Sequence, residues 1–433
     1  MKKKTIILLS VLLILSSMQA IEIFTVNSIS QTISKINTET GQVENDFAIL
    51  GQGENAAPNK IALDENFAYV TISNENSVQK FNLSTGESEG YVYFGDSSSP
   101  YDLVISGDYL YVSGNMSYKI YKISLDTFTE VDQIEVGTAP EGLLVYQNEL
   151  YCANTGFNIS DYTYNPGSVS IINLDSFEVV NTLSTSLNPR KAKVMDDELH
   201  VVCCGDFVAE MGKIDIFSLD EYEFLVSYDV GGSPADIANY ANMGYLANSW
   251  PAGIYVYNIN TGEVEITLED DFFEGGNEVA IFEEELISLN AGDYVENSIV
   301  YLYSIADYDL NNTYTVGVGA TDVKVIQDNV AIDEGEEALK TGKLEIFPNP
   351  FNYRANDSVS FRLDIKRSTK VQLEIFNIKG QRITQLEDKL TTDQNVISWS
   401  IEENSPKIIS SGIYFVKIRT AGKIFTGKML IVK

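Results

Sequence analysis

Residues 58–94, PNKIALDENFAYVTISNENSVQKFNLSTGESEGYVYF, decide the fold. Ile61 and Leu63 mark a first strand, residues 67–73 a second, 77–83 a third and 91–94 a fourth, with a tight turn at Thr85-Gly86. Apolar and polar positions alternate, and Gly, Asn and Asp punctuate the runs, as short antiparallel strands require. Outward from this stretch the same spacing recurs. Pro58, Pro100, Pro140, Pro189, Pro234, Gly276 and Ala320 stand 42, 40, 49, 45, 42 and 44 residues apart. Eleven positions after these anchors come Tyr69, Tyr111, Tyr151, His200, Tyr245, Ile287 and Ala331. A period in the forties built from short strands predicts propeller blades. The expected class is all-β: a seven-bladed β-propeller over residues 21–332, followed by a small immunoglobulin-like β-sandwich.

The last anchor has too few strands behind it before residue 332, whereas residues 21–50 read as strands without an anchor. The N-terminal strands are therefore expected to complete the last blade and close the ring, which removes exposed sheet edges. Residues 24–27 and 330–332 both fit the second-strand slot. The turn at Thr85-Gly86 recurs at Thr40-Gly41 and Thr261-Gly262, while Leu-Asp replaces it at Leu125-Asp126, Leu174-Asp175 and Leu219-Asp220.

The formal net charge of −33 argues against nucleic-acid binding, which needs Lys and Arg against phosphate. The charge is uneven: residues 341–433 are basic and the remainder strongly acidic, which implies two domains. Residues 1–20 have the pattern of a signal peptide, with Lys2, Lys3 and Lys4, an apolar run, and small residues up to a cut after Ala20. No other segment is expected to span a bilayer as a helix. Cys152, Cys203 and Cys204 read as small buried hydrophobes rather than a disulfide framework or a zinc site.

Tyr69-Val70-Thr71, Asn76-Ser77-Val78 and Thr85-Gly86-Glu87, with weaker copies at Tyr111-Val112-Ser113 and Phe24-Thr25-Val26-Asn27-Ser28, resemble the YVTN-type β-propeller family. That likeness implies a scaffold and says little of ligand. Residues 333–342 read as a linker, and about seven strands follow in 343–433. The motifs Phe347-Pro348-Asn349-Pro350-Phe351, Ile375-Phe376-Asn377, Gly380-Gln381, Trp399 and Ser411-Gly412-Ile413-Tyr414, and the ending Lys428-Met429-Leu430-Ile431-Val432-Lys433, resemble the type IX secretion system C-terminal sorting domain. The resemblance implies an export address read by the secretion machinery, and a propeller secreted from, or displayed on the outer surface of, a Gram-negative cell.

Connections between second and third strands lie on one rim of a propeller. They read as enlarged at 154–167, 205–212, 248–253 and 290–297. These loops carry Phe157, Tyr162, Tyr164, Asp206, Phe207, Glu210, Trp250, Asp293, Tyr294 and Glu296. Exposed aromatics can stack on sugars or anchor a protein partner, and can equally pack on one another to order their own loops. Trp250, between Ser249 and Pro251, is the leading single candidate. Arg190-Lys191 can hold an anionic group, although internal ion pairs are the competing assignment. Glu269-Asp270-Asp271 and Glu274 have the chemistry for Ca²⁺ but lack EF-hand spacing, so no cofactor is expected.

His200 is the one histidine, which rules out multi-His metal centres and leaves most His-based relays without parts. The run Gly51-Gln52-Gly53-Glu54-Asn55-Ala56 looks like a phosphate-cradling loop but precedes a strand rather than a helix. Two functions fit these residues. The first is a non-enzymatic extracellular protein that binds a glycan or protein. The second is a carboxylate-dependent polysaccharide hydrolase or lyase, which needs only two placed Asp or Glu.

Overall fold

The protein is described by a computed structural model covering residues 21–195, 197–249, 251–327, 330–331, 340–341, 344–352, 358–363, 369–377, 382–390, 396–400, 412–419 and 423–432. The expected signal peptide, most of the expected linker and Trp250 lie outside these residues. No α-helix occurs among them.

The stretch 58–94 forms one antiparallel sheet in chain order: Pro58–Leu63, Phe67–Ile72, Ser77–Asn82 and Ser88–Tyr93. The same four-stranded meander repeats through to Leu310–Val318. Most anchors are the first residue of their strand, where a proline without an N–H is tolerated. The first strands pack on one another in succession: Pro58–Leu63, Pro100–Ser106, Pro140–Tyr146, Pro189–Met195, Pro234–Tyr240, Glu278–Phe282 and Ala320–Gln327, which returns to Pro58–Leu63. The arrangement is propeller-like.

Closure comes from the two ends of the repeat region. Ile21–Asn27 pairs with Ala320–Gln327 on one side and Thr32–Asn37 on the other, and Gln42–Ile49 completes the sheet. Of the two segments that fitted the second-strand slot, Phe24 to Asn27 fills it. Val330–Ala331 only adds a two-residue pairing on the far side of Ala320–Gln327. The residue matching Tyr69 in this sheet is therefore Phe24 rather than Ala331. Seven pairs along Ile21–Asn27, with one register shift after Val26, outcompete a two-residue hairpin because each ladder step satisfies backbone groups that burial would otherwise orphan.

The core lies in the seams between neighbouring sheets. Tyr69, Val78, Leu103 and Val112 fill one seam; Phe24, Val26, Ile61 and Val70 fill the closing one. Each fully buried Leu, Ile, Val or Phe contributes roughly 1.5–3 kcal/mol relative to exposure.

The seams also explain the two turn types. One or two residues before the fourth strand, every repeat has a left-handed residue: Phe128, Phe177, Tyr222 and Tyr308, or Gly41, Gly86 and Gly262. Where it is aromatic, it meets the tyrosine eleven positions after the anchor of the preceding sheet. Phe128 packs on Tyr69 with centroids 5.8 Å apart, and Phe177 on Tyr111 at 5.9 Å. Tyr222 shares the Glu149 carboxylate with Tyr151, and Tyr308 joins Tyr245. Where it is glycine, the preceding sheet offers Phe24, His200 or Ile287 instead.

The C-terminal region is a second β-unit. Leu344–Phe347, Val359–Leu363 and Val396–Trp399 form one sheet, and Lys423–Val432, Gly412–Arg419, Thr369–Asn377 and Arg382–Leu390 run through the other. Phe361, Leu373, Trp399, Phe425 and Met429 lie in its core. Its Pro-Asn-Pro motif has a mechanical reason. Asn349 stands in for a strand residue: its side-chain amide donates to the Lys428 carbonyl at 2.9 Å, and its Oδ1 accepts from the Leu430 N–H at 2.9 Å. Phe351, two residues on, is then buried beside Trp399.

Gly86 and Gly41 share a turn but not a neighbourhood. A Cβ on Gly86 would lie 1.9 Å from the Phe47 carbonyl oxygen, whereas one on Gly41 meets nothing within 4 Å. Gly41→Ala should therefore cost only the left-handed backbone penalty, about 1–2 kcal/mol. Gly86→Ala should cost clearly more, read as the larger drop in denaturation midpoint.

Candidate functional site

The 154–167 connection folds back as a hairpin in which Phe157–Asn158 pairs with Thr163–Tyr164. Gly156 makes the bend possible: its φ is +74°, and a Cβ there would lie 2.4 Å from the Asn165 carbonyl oxygen. Asn158 accepts from Ser160 N–H and Asp161 from Thr163 N–H, which sets the tip. Phe157 then packs on Tyr162 and Tyr164, with centroids 6.2 and 5.4 Å apart. Tyr164 reaches Phe207 of the next sheet's loop at 6.5 Å. That second loop is wound around Asp206, whose Oδ1 accepts from the N–H groups of Val208, Ala209 and Glu210 at 2.7–2.9 Å. These backbone donors, Glu210 first, hold the Asp206 carboxyl below its usual range. Tyr162 and Phe207 both have positive φ, 58° and 63°. For bulky side chains this costs about 1–3 kcal/mol each, tolerated only where the surroundings impose it. Both rings are nevertheless exposed.

Beneath this cluster, Tyr164 is half-buried and burial raises its phenol, with the nearby Arg190 opposing. Arg190 does not wait for an anion. Its Nε lies 2.9 Å from Glu141, and its Nη2 donates to the Tyr101 hydroxyl at 2.7 Å. Burial raises the Glu141 carboxyl while Arg190 pulls it down. Tyr101 is pushed up to about 12, mainly by burial. The internal ion pair, the competing assignment for Arg190, is the one observed.

Lys191 belongs to a charged ring that the repeat arithmetic left unread. Two residues after each anchor stand Lys60, Asp102, Gly142, Lys191, Asp236, Glu278 and Asp322. The Lys60 ammonium bonds Glu278, donates to the Thr321 carbonyl at 3.1 Å and lies 3.7 Å from Asp322. Lys191 Nζ lies 3.8 Å from Asp102 and 4.0 Å from Asp236. Three carboxylates also clasp the next sheet's backbone: Asp102 accepts from Leu143 N–H, Asp236 from Val279 and Asp322 from Ile61, at 2.8, 3.1 and 2.8 Å. Burial alone would raise Asp236; Lys191 and Lys60 hold it down to about 2. Gly142 interrupts the ring because a Cβ there would lie 2.2 Å from the Arg190 carbonyl oxygen. The fixed offset was visible in the sequence and was the signal to follow.

The remaining candidates are more dispersed. Asp293 accepts from Val295 and Glu296 N–H at 2.9 and 3.0 Å, ordering its own loop, and exposed Tyr294 has φ 63°. This pair stands two sheets away from Phe207. The 248–253 connection is not enlarged: Asn248 pairs with Gly253 and Ser249 with Ala252. Trp250 is outside the described residues. His200 is buried with Nδ1 3.1 Å from the Tyr257 hydroxyl. The three cysteines are buried and free. Gly51-Gln52-Gly53 does cradle an anion, but the anion is the chain's own Glu75 carboxylate, which accepts from Gln52 and Gly53 N–H at 2.7 and 2.6 Å. Asp270 is engaged as the partner of Thr267 in a capping box. Among the described residues no group of three His, Cys, Asp or Glu is arranged to hold a metal.

Residues 345–433 match the family described as secretion system C-terminal sorting domain. The chain therefore carries a tail that directs secretion or cell-surface display. No curated protein matches the sequence. Among solved structures the chain is similar to Kuenenia stuttgartiensis hydrazine synthase, with TM-score 0.50 and 14% identity over 64% of this chain and 96% of that one. Virginiamycin B lyase from Staphylococcus aureus gives TM-score 0.48 and 14% identity over 61% and 87%. The RRP9 WD40 repeats give 0.47 and 12% over 62% and 82%. At such identities the likeness concerns fold alone.

Arg190→Ala would leave Glu141 buried without its cation and should destabilise the domain by roughly 3–5 kcal/mol. Replacing the pair together, Arg190→Met with Glu141→Leu, should recover most of that loss. Equal destabilisation in the single and double variants would contradict the pairing.

Proposed function

We propose that this chain is an extracellular recognition protein. In this reading the repeated sheets are a seven-bladed propeller of the YVTN type, its last blade closed by the N-terminal strands. The C-terminal unit is an immunoglobulin-like sandwich that serves as address for the type IX machinery at the outer surface of a Gram-negative cell. A leader at residues 1–20 would start export and the tail would complete it.

The observation that carries the proposal is the continuous group of rings from Tyr162 through Phe157 and Tyr164 to Phe207, spanning two sheets with both ends exposed. Two bulky residues are held in an unfavourable backbone conformation with their rings in solvent, a pairing that fits a ligand platform. Binding fits better than turnover because the two aspartates of the ring-bearing loops are engaged. Asp161 and Asp206 each hold backbone N–H groups of their own loop. Neither is placed as a general acid or nucleophile.

The mature chain should give saturable binding on an array of defined glycans and synthetic peptides, with no turnover of polysaccharide. Tyr162→Ala and Phe207→Ala should each weaken binding by about tenfold or more, as interface anchors do. Turnover abolished by changing one rim carboxylate to its amide would overturn the proposal. For the tail, deletion of residues 341–433 should leave the propeller folded and retained in the periplasm. Surface arrival of the truncated chain would refute the address assignment.

A further inference from the structure

The same rim narrows the ligand class. Around the rings stand aliphatic side chains that no sheet covers: Ile159, Met211 and Val208, the last 87% exposed, beside Tyr162 at 78%. Resting on the recognition reading above, we propose that this rim is the docking site for a segment of another protein, one with aromatic or aliphatic anchors flanked by Lys or Arg.

Three observations support a protein segment. First, a sugar is gripped by flat rings together with free hydrogen-bonding groups. Here Asn158, Asp161 and Asp206 each commit an acceptor oxygen to their own loop's N–H groups. What faces outward is Val, Ile, Met, Tyr and Phe, the chemistry of an apolar protein contact. Second, neither loop contains Lys or Arg, and the charges fringing the rings are Asp161, Asp206 and Glu210. An apolar centre with a purely acidic fringe is complementary to an apolar segment with basic flanks. A second copy of this chain docking through the same rim would bring the same acidic fringe against it and would be repelled. Third, the loops are fixed by hydrogen bonds before any partner arrives, which lowers the ordering cost of docking.

The test uses the mature chain and defined probes. Synthetic peptides with two apolar anchors flanked by Lys or Arg are titrated beside the same peptides flanked by Asp or Glu, and beside a glycan array. Basic-flanked peptides should bind at least about tenfold more tightly than acidic-flanked ones, with affinity falling as salt is added. Val208→Lys should weaken them by about tenfold, whereas Val208→Glu should retain most of the affinity. Val208 is exposed, so an unchanged denaturation midpoint confirms that both variants fold. Equal affinity for both flank types, or indifference to Val208→Lys, overturns the assignment. Binding to glycans alone, lost in Tyr162→Ala, refutes the protein segment and leaves the recognition reading standing. Binding to neither class refutes both.

Discussion

The pairing of Ile21–Asn27 with Ala320–Gln327 is the contact on which the rest depends. It joins two segments some 300 positions apart and turns a row of sheets into a ring. Without it, Ile21–Asn27 and Ala320–Gln327 would each present an unpaired edge. The clasp from Asp322 to the Ile61 N–H, and the bond from Lys60 to Glu278, cross the same junction. A buried carboxylate and ammonium are tolerated there because each is paired and hydrogen-bonded; either alone would be strongly destabilising.

Closure sets what the rim can be. Loops that leave a rigid ring need little apolar packing of their own, so their polar atoms can bond within the loop to fix shape while apolar side chains face out. The hairpin at Phe157–Asn158 and Thr163–Tyr164 and the turn around Asp206 both follow this pattern. Position is thereby uncoupled from core formation, and the exposed rings are free to serve recognition.

Much of the scaffold was legible because it is periodic. Pro58 and its equivalents locate the strands, and the tyrosines eleven positions on locate the seams. Even the alternation of Gly86 with Phe128 and Phe177 follows a simple exchange of one ring for one glycine across a seam. The failures came where pairing is long-range. Phe24 and Ala331 fit the closing slot equally well in the sequence, and only the seven ladder pairs of Ile21–Asn27 against two for Val330–Ala331 decide between them. Arg190 looked available because Glu141 and Tyr101 lie 49 and 89 positions away. The members of the ring of Lys60, Asp102, Lys191, Asp236, Glu278 and Asp322 share one offset from the anchors, but the pairings that allow their burial join different sheets. Of the rim candidates, Tyr162, Tyr164 and Phe207 do come together, whereas Asp293 and Tyr294 belong to a separate loop. The repeat puts 154–167 and 205–212 at equivalent places in consecutive sheets; the contact of Tyr164 with Phe207 is made in space.

Native-state hydrogen exchange tests the closed ring most directly. If the ends are one cooperative unit with the sheets between them, the amides of Ile21–Asn27 and Ala320–Gln327 should exchange as slowly as those of Phe67–Ile72, through global unfolding. Exchange of the two terminal strands orders of magnitude faster than Phe67–Ile72, under the same native conditions, would contradict the account.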